Sequence, residues 1–261
     1  MSLRENQHIS FPSEKHAEAA QIVTDYASTL ENVDTILVVN SCARGNAVEE
    51  SDLDMALLMT PHIDENQLEL SWRESADANV LVREFCDRSP YSAIHLDFFD
   101  GTFVPLSWDD GGGPDDFEIE IGNRVAYSAP LGAVGPLFRE LKSNWLPYYC
   151  DSLRLSRLSM VRSSLRHDLD HIPFYTSRQL YEQAFDRLYK AFREYLQALF
   201  ISKSTYPIAY NKWLQEQLDL IGMDDLYEPL LSVLAINDLT SGIEKKADLL
   251  KEMESELDGA T

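Results

Sequence analysis

A chain of 261 residues can bury a sizeable core as one large domain or two smaller ones, and the patterning below favours two. Its formal net charge of −22 argues against holding nucleic acid by the phosphates, which depends on Lys and Arg displacing counterions, and suits a small or cationic partner better. No stretch approaches the roughly 18 consecutive apolar residues of a membrane span, the N-terminus lacks a basic region followed by an apolar one, and Cys42, Cys86 and Cys150 lack the spacing of a zinc ribbon or disulfide framework. The expectation is a cytoplasmic protein with reduced thiols.

In chain order, Ser13 is placed to cap a helix in which Ala20, Val23, Ala27 and Leu30 recur at helical spacing. Two β-branched, apolar runs, Thr35 to Val39 and Leu53 to Met59, read as strands joined by a polar turn. Asp64 to Arg88 reads as mainly helical with a break near Ala78 and Asn79, and Ala93 to Phe99 as a third strand. SWDDGGGPDDF, with three consecutive glycines, suits a mobile loop. Phe117 to Ile121 and Arg124 to Tyr127 flank Gly122-Asn123, a reversed hairpin signal. Beyond about Ala133 strands vanish: Leu180, Ala184, Leu188, Ala191, Tyr195 and Leu199 mark a long helix, and further helices are expected over 210–220, 225–234 and 241–257. The predicted class is α+β: a mixed sheet flanked by helices over 1–132, then a helical bundle over 133–261, with the boundary within 130–150.

The chemistry concentrates in one stretch. Asp52 and Asp54 are two apart, so a strand points both to one face while Leu53, Met55 and Leu57 point to the other. Two adjacent carboxylates repel, and a hard, oxygen-ligated cation such as Mg²⁺ relieves the repulsion. Asp97, alternating with Leu96 and Phe98, supplies a third acid, enough for two ions; Asp100 reads as a turn residue. Ser41, Arg44 and Gly45 place a hydroxyl, a cation and a flexible backbone ahead of the carboxylates, all suited to triphosphate oxygens. Neither a Walker loop nor a GxGxxG turn is present.

NSCARGNAVEESDLDMALL, followed by Asp97, resembles the nucleotidyltransferase superfamily of the DNA polymerase β type, and within it the minimal and antibiotic-modifying branch. In that family a Gly-Ser turn and a helix precede Asp-x-Asp, and a later strand brings the third acid; here Asn40 stands where glycine is usual. Asn is the non-glycine residue that best tolerates a left-handed backbone. LFISKSTYPIAYNKWL is similar to a Tyr-Pro...Lys-Trp segment of bacterial members. The resemblance implies a nucleotidyltransferase-type sheet, Asp52, Asp54 and Asp97 as catalytic metal ligands for Mg²⁺, and transfer of AMP from ATP, or of another nucleotide from its NTP, to an acceptor hydroxyl. Ser41, Arg44 and Gly45 would meet the triphosphate, Lys212 a phosphate and Tyr206 the base.

Several alternatives stay open. The general base is one of Glu118, Glu120, Asp168, Asp170 and Glu182. His167 and His171, at i and i+4, form a zinc-compatible pair without an evident third ligand. The aromatic stripe Tyr181, Phe185, Tyr189, Phe192 and Tyr195 reads as core packing. Acid is concentrated early, with 26 Asp+Glu against 9 Lys+Arg in residues 1–150, which suits a polycationic acceptor such as an aminoglycoside and equally a solvated acidic surface. Competing readings are a nucleotidyltransferase-like antitoxin or nucleotide sensor, and an enzyme that adenylylates a protein side chain. Some relatives place active-site groups at a dimer interface, so a homodimer is compatible with the resemblance.

Overall fold

The computed structural model describes residues 9–60, 64–105, 112–236, 238–239 and 241–257. The chain is a mixed α+β protein. It forms two compact units interleaved along the sequence: Met1–Phe103 with Glu120–Pro147, and Val104–Ile119 with Tyr148–Thr261. A single cut after residue 132 does not separate them, because 104–119 folds with the second unit and 133–147 with the first.

The first unit holds α1 (Glu14–Ala27), β1 (Val33–Val38), α2 (Asn40–Arg44), β2 (Leu53–Met59), α3 (Glu65–Ala78), α4 (Val80–Cys86) and β3 (Ile94–Phe99), then β4 (Ala129–Pro130) and α6 (Pro136–Trp145). The strands lie in the order β3-β2-β1-β4. β1 is antiparallel to β2 and β4, while β3 runs parallel to β2. Alternation sorts the side chains: Leu53, Met55, Leu57, Met59, Val38, Leu96 and Phe98 face a core closed by Ala20, Val23 and Ala27 of α1, Trp72 of α3 and Phe85 of α4. Each such side chain stabilises the unit by about 1.5–3 kcal/mol. Asn79 ends α3 and caps α4, its Oδ1 accepting from the Leu81 and Val82 amides (2.9 and 3.4 Å), which is the physical cause of the expected break.

A long-range contact fixes α6. Gly135 at its N-cap has no side chain, and Asp34 of β1 does the capping instead, Oδ2 accepting from Leu137 N and Oδ1 from Phe138 N, both at 3.0 Å. A Cβ on Gly135 would lie 2.2 Å from the Asp34 carboxylate, so glycine is required there by close approach.

The expected hairpin over 117–127 is not formed. Phe117–Ile121 is α5, and the chain continues as a π-helical turn over Gly122–Ala126. A two-residue hairpin turn needs positive φ, and neither Gly122 nor Asn123 has it. The buried apolar side chains are Phe117, Ile121 and Val125, four apart and on one helical face, so the helical period prevailed over the shorter alternation Phe117/Ile119/Ile121. Of the SWDDGGGPDDF stretch, 107–111 lie outside the described residues.

The second unit is built on α7 (Asp151–Ser177) and α8 (Tyr181–Ser202), with α9 (Leu214–Ile221), α10 (Tyr227–Leu234) and α11 (Gly242–Glu256). Leu158, Val161, Leu165, Leu169 and Ile172 of α7 share a core with Ala184, Leu188, Ala191, Tyr195 and Leu199 of α8, closed by Leu230, Val233, Ile243 and Leu250. Of the aromatic stripe, Phe192 and Tyr195 are buried, but Phe185 and Tyr189 are exposed, a partial correction to the core reading. The helix expected over 210–220 starts later, at Leu214. Buried Gln217 accepts from the Ile208 and Ala209 amides and donates to the Ala209 and Lys212 carbonyls, which holds 208–212 in an irregular turn. Among the described residues no helix is long and apolar enough to cross a membrane.

Two charged networks are buried in this unit. Arg157 donates through Nε to Glu118 Oε1 (2.6 Å) and through Nη2 to Asp115 Oδ1 (2.6 Å) and Glu118 Oε2 (2.7 Å). Gln197 Nε2 adds bonds to Asp115 Oδ1 (2.6 Å) and Glu118 Oε2 (2.8 Å), and the Tyr149 hydroxyl donates to Glu118 Oε1 (2.7 Å).

In the second network Ser164 Oγ donates to Glu194 Oε1 (2.7 Å), and Arg187 binds Asp168. Burial pushes the Glu194 carboxyl up to about 8; the Ser164 hydrogen bond opposes that shift and the Asp168 charge adds to it. The folded state therefore keeps a proton that the unfolded chain releases near its ordinary value of 4.5. This contribution to stability is fully present below 4.5 and is lost as pH rises through about 8, a change on the order of 3–5 kcal/mol. Glu194→Gln is expected to match the parent at pH 4.5 in urea denaturation and to exceed it by several kcal/mol at pH 8.5. Parallel pH profiles for the two proteins would show that folding does not raise the Glu194 carboxyl above its ordinary value.

Candidate metal centre

The turn between β1 and β2 leads into the carboxylates through a left-handed residue. Asn40 takes φ 54 at the start of α2, and Gly45 ends the helix at φ 78. Asn therefore adopts, at modest cost, the conformation for which glycine is the usual choice. Ser41 is half-buried in the first turn, its carbonyl accepting from the Asn46 amide (3.0 Å), and Arg44 is half-buried in the last. The buried Cys42 ties this turn to the acids: its thiol reaches the Asp52 carbonyl at 3.7 Å, while Val39 N donates to Asp54 O at 3.1 Å. Burial, with the charges of Asp54 and then Asp52 adding to it, pushes the Cys42 thiol up to about 12. It is consequently a packed thiol without nucleophilic character at neutral pH.

Asp52 immediately precedes β2 and Asp54 lies within it, on the face opposite Leu53 and Met55. In the parallel register Asp54 stands beside His95, and Ala56 beside Asp97. One ligand atom from each of Asp52, Asp54 and His95 lies within 4.8 Å of the other two, the one group of three potential metal ligands among the described residues. His95 Nε2 is 3.7 Å from Asp52 Oδ2. Asp97 shares their face, two residues further along β3, where its exposed carboxylate meets Arg124 Nη2 at 3.8 Å. Arg124 also approaches Glu120 Oε2 at 4.0 Å and lies over the Phe99 ring at 5.1 Å.

The loop before Asp52 is clamped by groups that sequence reasoning missed. His16 of α1, fully buried, uses Nδ1 with Ser13 Oγ (2.7 Å) and Nε2 with the Ser51 carbonyl (3.1 Å). Burial lowers its pKa, so it is held as the neutral ring. Arg88 donates to the Glu49 carbonyl at 3.0 Å and the Ser51 carbonyl at 3.4 Å, and the Ser89 and Ser92 hydroxyls reach the Glu50 carbonyl at 3.3 and 3.4 Å. Three consecutive carbonyls are thus tied to α1 and to the segment before β3. That fixes where Asp52 starts the strand.

The remaining candidates, Glu120 apart, fall in the second unit. Tyr206 is buried, its ring 4.7 Å from that of Tyr148 and 6.4 Å from that of Tyr149, so base stacking would have to displace a neighbouring tyrosine. Lys212 is exposed, one residue before the left-handed Trp213 and ahead of α9. Of the base candidates, Glu118 and Asp168 are buried in the ion networks above and Asp170 pairs with Lys251 (2.8 Å). Glu182 lies in the first turn of α8, and Glu120 shares the first unit with the acid triplet. The His167 and His171 rings stack at 4.1 Å, and His171 Nδ1 is bonded to the His167 carbonyl at 2.7 Å.

His95 carried a signal in the sequence, since it stands two before Asp97 on a strand and must share its face. His16 and Arg88 carried none, because their partners are backbone carbonyls more than thirty residues away. The chain matches no protein-family model and no curated protein.

Proposed function

We propose that the protein is a divalent-cation-dependent nucleotidyltransferase that moves a nucleoside monophosphate, AMP from ATP in the simplest case, to a hydroxyl of a small acceptor. The observation that carries the reading is the gathering of Asp52 and Asp54 on one face at the start of β2, beside the left-handed Asn40 turn. The nucleotidyltransferase-type order supports it: a turn and short helix ahead of Asp-x-Asp, then a later strand bearing Asp97 on the same face. The donor set, two carboxylates and an imidazole open to solvent, fits a divalent ion.

Such a cation, two in the full reading, would be Mg²⁺ in the ordinary case, and would supply charge neutralisation at the triphosphate and polarise the α-phosphoryl group. Asp52 and Asp54 would hold it, while the hydroxyl of Ser41 and the backbone at Gly45 would receive β- and γ-phosphate oxygens, with Arg44 as an added cation. The acceptor oxygen bonds to the α-phosphorus, the bond to the bridging oxygen breaks, and pyrophosphate leaves. Glu120 takes the acceptor proton, being the one candidate base that stands in the first unit with the acids. Asp97, on the same face and 3.8 Å from Arg124, would complete the site. The acidic charge suits a cationic acceptor such as an aminoglycoside.

The test is pyrophosphate release from ATP and the other NTPs across a panel of aminoglycosides, lincosamides and other hydroxyl acceptors. Release that depends on both acceptor and divalent cation supports the reading. Mg²⁺-dependent ATP binding without turnover would point to a nucleotide sensor, and the absence of any nucleotide binding would end the proposal.

A further inference from the structure

We infer that His95 is a direct ligand of the cation held by Asp52 and Asp54, so that this centre takes a first-row transition ion, Mn²⁺ or Zn²⁺, in preference to Mg²⁺. The inference rests on the reading of this cluster at the start of β2 as a metal centre and not on nucleotide transfer. Mg²⁺ favours an all-oxygen shell and keeps most of its water, whereas imidazole nitrogen is a good donor to Mn²⁺, Fe²⁺, Co²⁺ and Zn²⁺. One nitrogen among two carboxylates therefore changes which ion the site selects.

The register places the nitrogen. Asp54 and His95 are direct partners across the parallel β2–β3 pair, and neighbouring strands stand about 4.8 Å apart, so their side chains rise side by side from one face. Asp52 comes to the same point from the strand's entry, with Oδ2 3.7 Å from His95 Nε2. Ligands of one ion bound at about 2.1 Å lie at most about 4.2 Å apart. The three atoms, within 4.8 Å of one another, close onto an ion by small rotations of partly exposed side chains.

Asp97 is a poorer third ligand for the same ion. It sits roughly 6.6 Å further along β3 than His95, two residues at strand rise. A guanidinium 3.8 Å from its carboxylate opposes a second positive charge there. The donor set nearest to hand is thus two oxygens and a nitrogen.

The test loads the full chain, without nucleotide, with Mn²⁺ or Zn²⁺ alone. Pulsed EPR of the Mn²⁺ form is expected to show ¹⁴N modulation from a coordinated imidazole, absent in His95→Gln. Competition against a chelator is expected to show His95→Gln losing about tenfold or more in Zn²⁺ affinity with Mg²⁺ affinity little changed. His95→Asp is expected to restore binding with the preference moved toward Mg²⁺. Because the His95 side chain is 58% exposed, both variants should keep the parental thermal unfolding, which is measured alongside. Bound Mn²⁺ without ¹⁴N modulation, equal Zn²⁺ affinity in parent and His95→Gln, or no binding of either ion overturns the inference. Loss of nucleotidyl transfer with His95-dependent Zn²⁺ binding intact would instead sink the enzymatic reading and leave this one standing.

Discussion

The Asp52→Asn/Asp54→Asn double variant is expected to fold normally and to lose at least about a thousandfold in cation-dependent nucleotidyl transfer, roughly 4 kcal/mol of transition-state stabilisation. Both substitutions keep side-chain shape. The Val39–Asp54 and Cys42–Asp52 contacts use backbone carbonyls, so the turn keeps its anchors. What disappears is negative charge at the point where an ion must sit against a triphosphate. Removing two like charges also relieves their repulsion, so the variant should melt no lower than the parent. The decisive pair of measurements is turnover against acceptor and thermal unfolding on the same preparations. Full turnover in a folded double variant would exclude Asp52 and Asp54 from the chemistry, whatever role they keep in metal binding.

Arg157→Met is expected to destabilise the second unit by about 3–5 kcal/mol, the usual cost of removing one member of a buried ion cluster. The change leaves Asp115 and Glu118, both buried, facing one another with the amide of Gln197 and the Tyr149 hydroxyl as remaining donors. It also removes a guanidinium lying 4.6 Å over the Phe117 ring. Arg157 carries 104–119 into the second unit, because both acids lie in that segment. Loss should therefore appear first as protease sensitivity and fast amide exchange around 112–119. Adding Glu118→Leu and Asp115→Asn should recover most of the loss, since the desolvation of unpaired carboxylates is what the single variant suffers. A single variant within 1 kcal/mol of the parent in urea denaturation would mean that water already solvates this cluster.

Local signals were legible where the physics is local. Short β-branched, apolar runs located β1 and β2, strand alternation around Asp97 fitted β3, and helical spacing located α1 and α8. Asn79 announced its helix break, and Asp52 and Asp54 announced a common face. The same reasoning failed over 117–127, where alternating apolar residues and a Gly-Asn pair suggested a hairpin, and burial of Phe117, Ile121 and Val125 made a helix. It also failed at the start of α9, where Gln217 holds the backbone of 208–212 out of helix.

The sequence by itself determined the α+β class and the placing of two carboxylates behind a left-handed turn, since these depend on residue type and on spacing within a few residues. Only the tertiary structure decided which groups join them: His95 by the register of a parallel strand forty residues later, His16 and Arg88 by reaching distant carbonyls, and Arg124 by drawing Asp97 aside. It also decided that the two units interleave, because a buried arginine holds Asp115 and Glu118 in the second unit while Asp34 caps α6 in the first. Those choices are made by strand register, burial and charge pairing between segments far apart in the chain, and apart from the place of His95 two before Asp97 no local pattern records them.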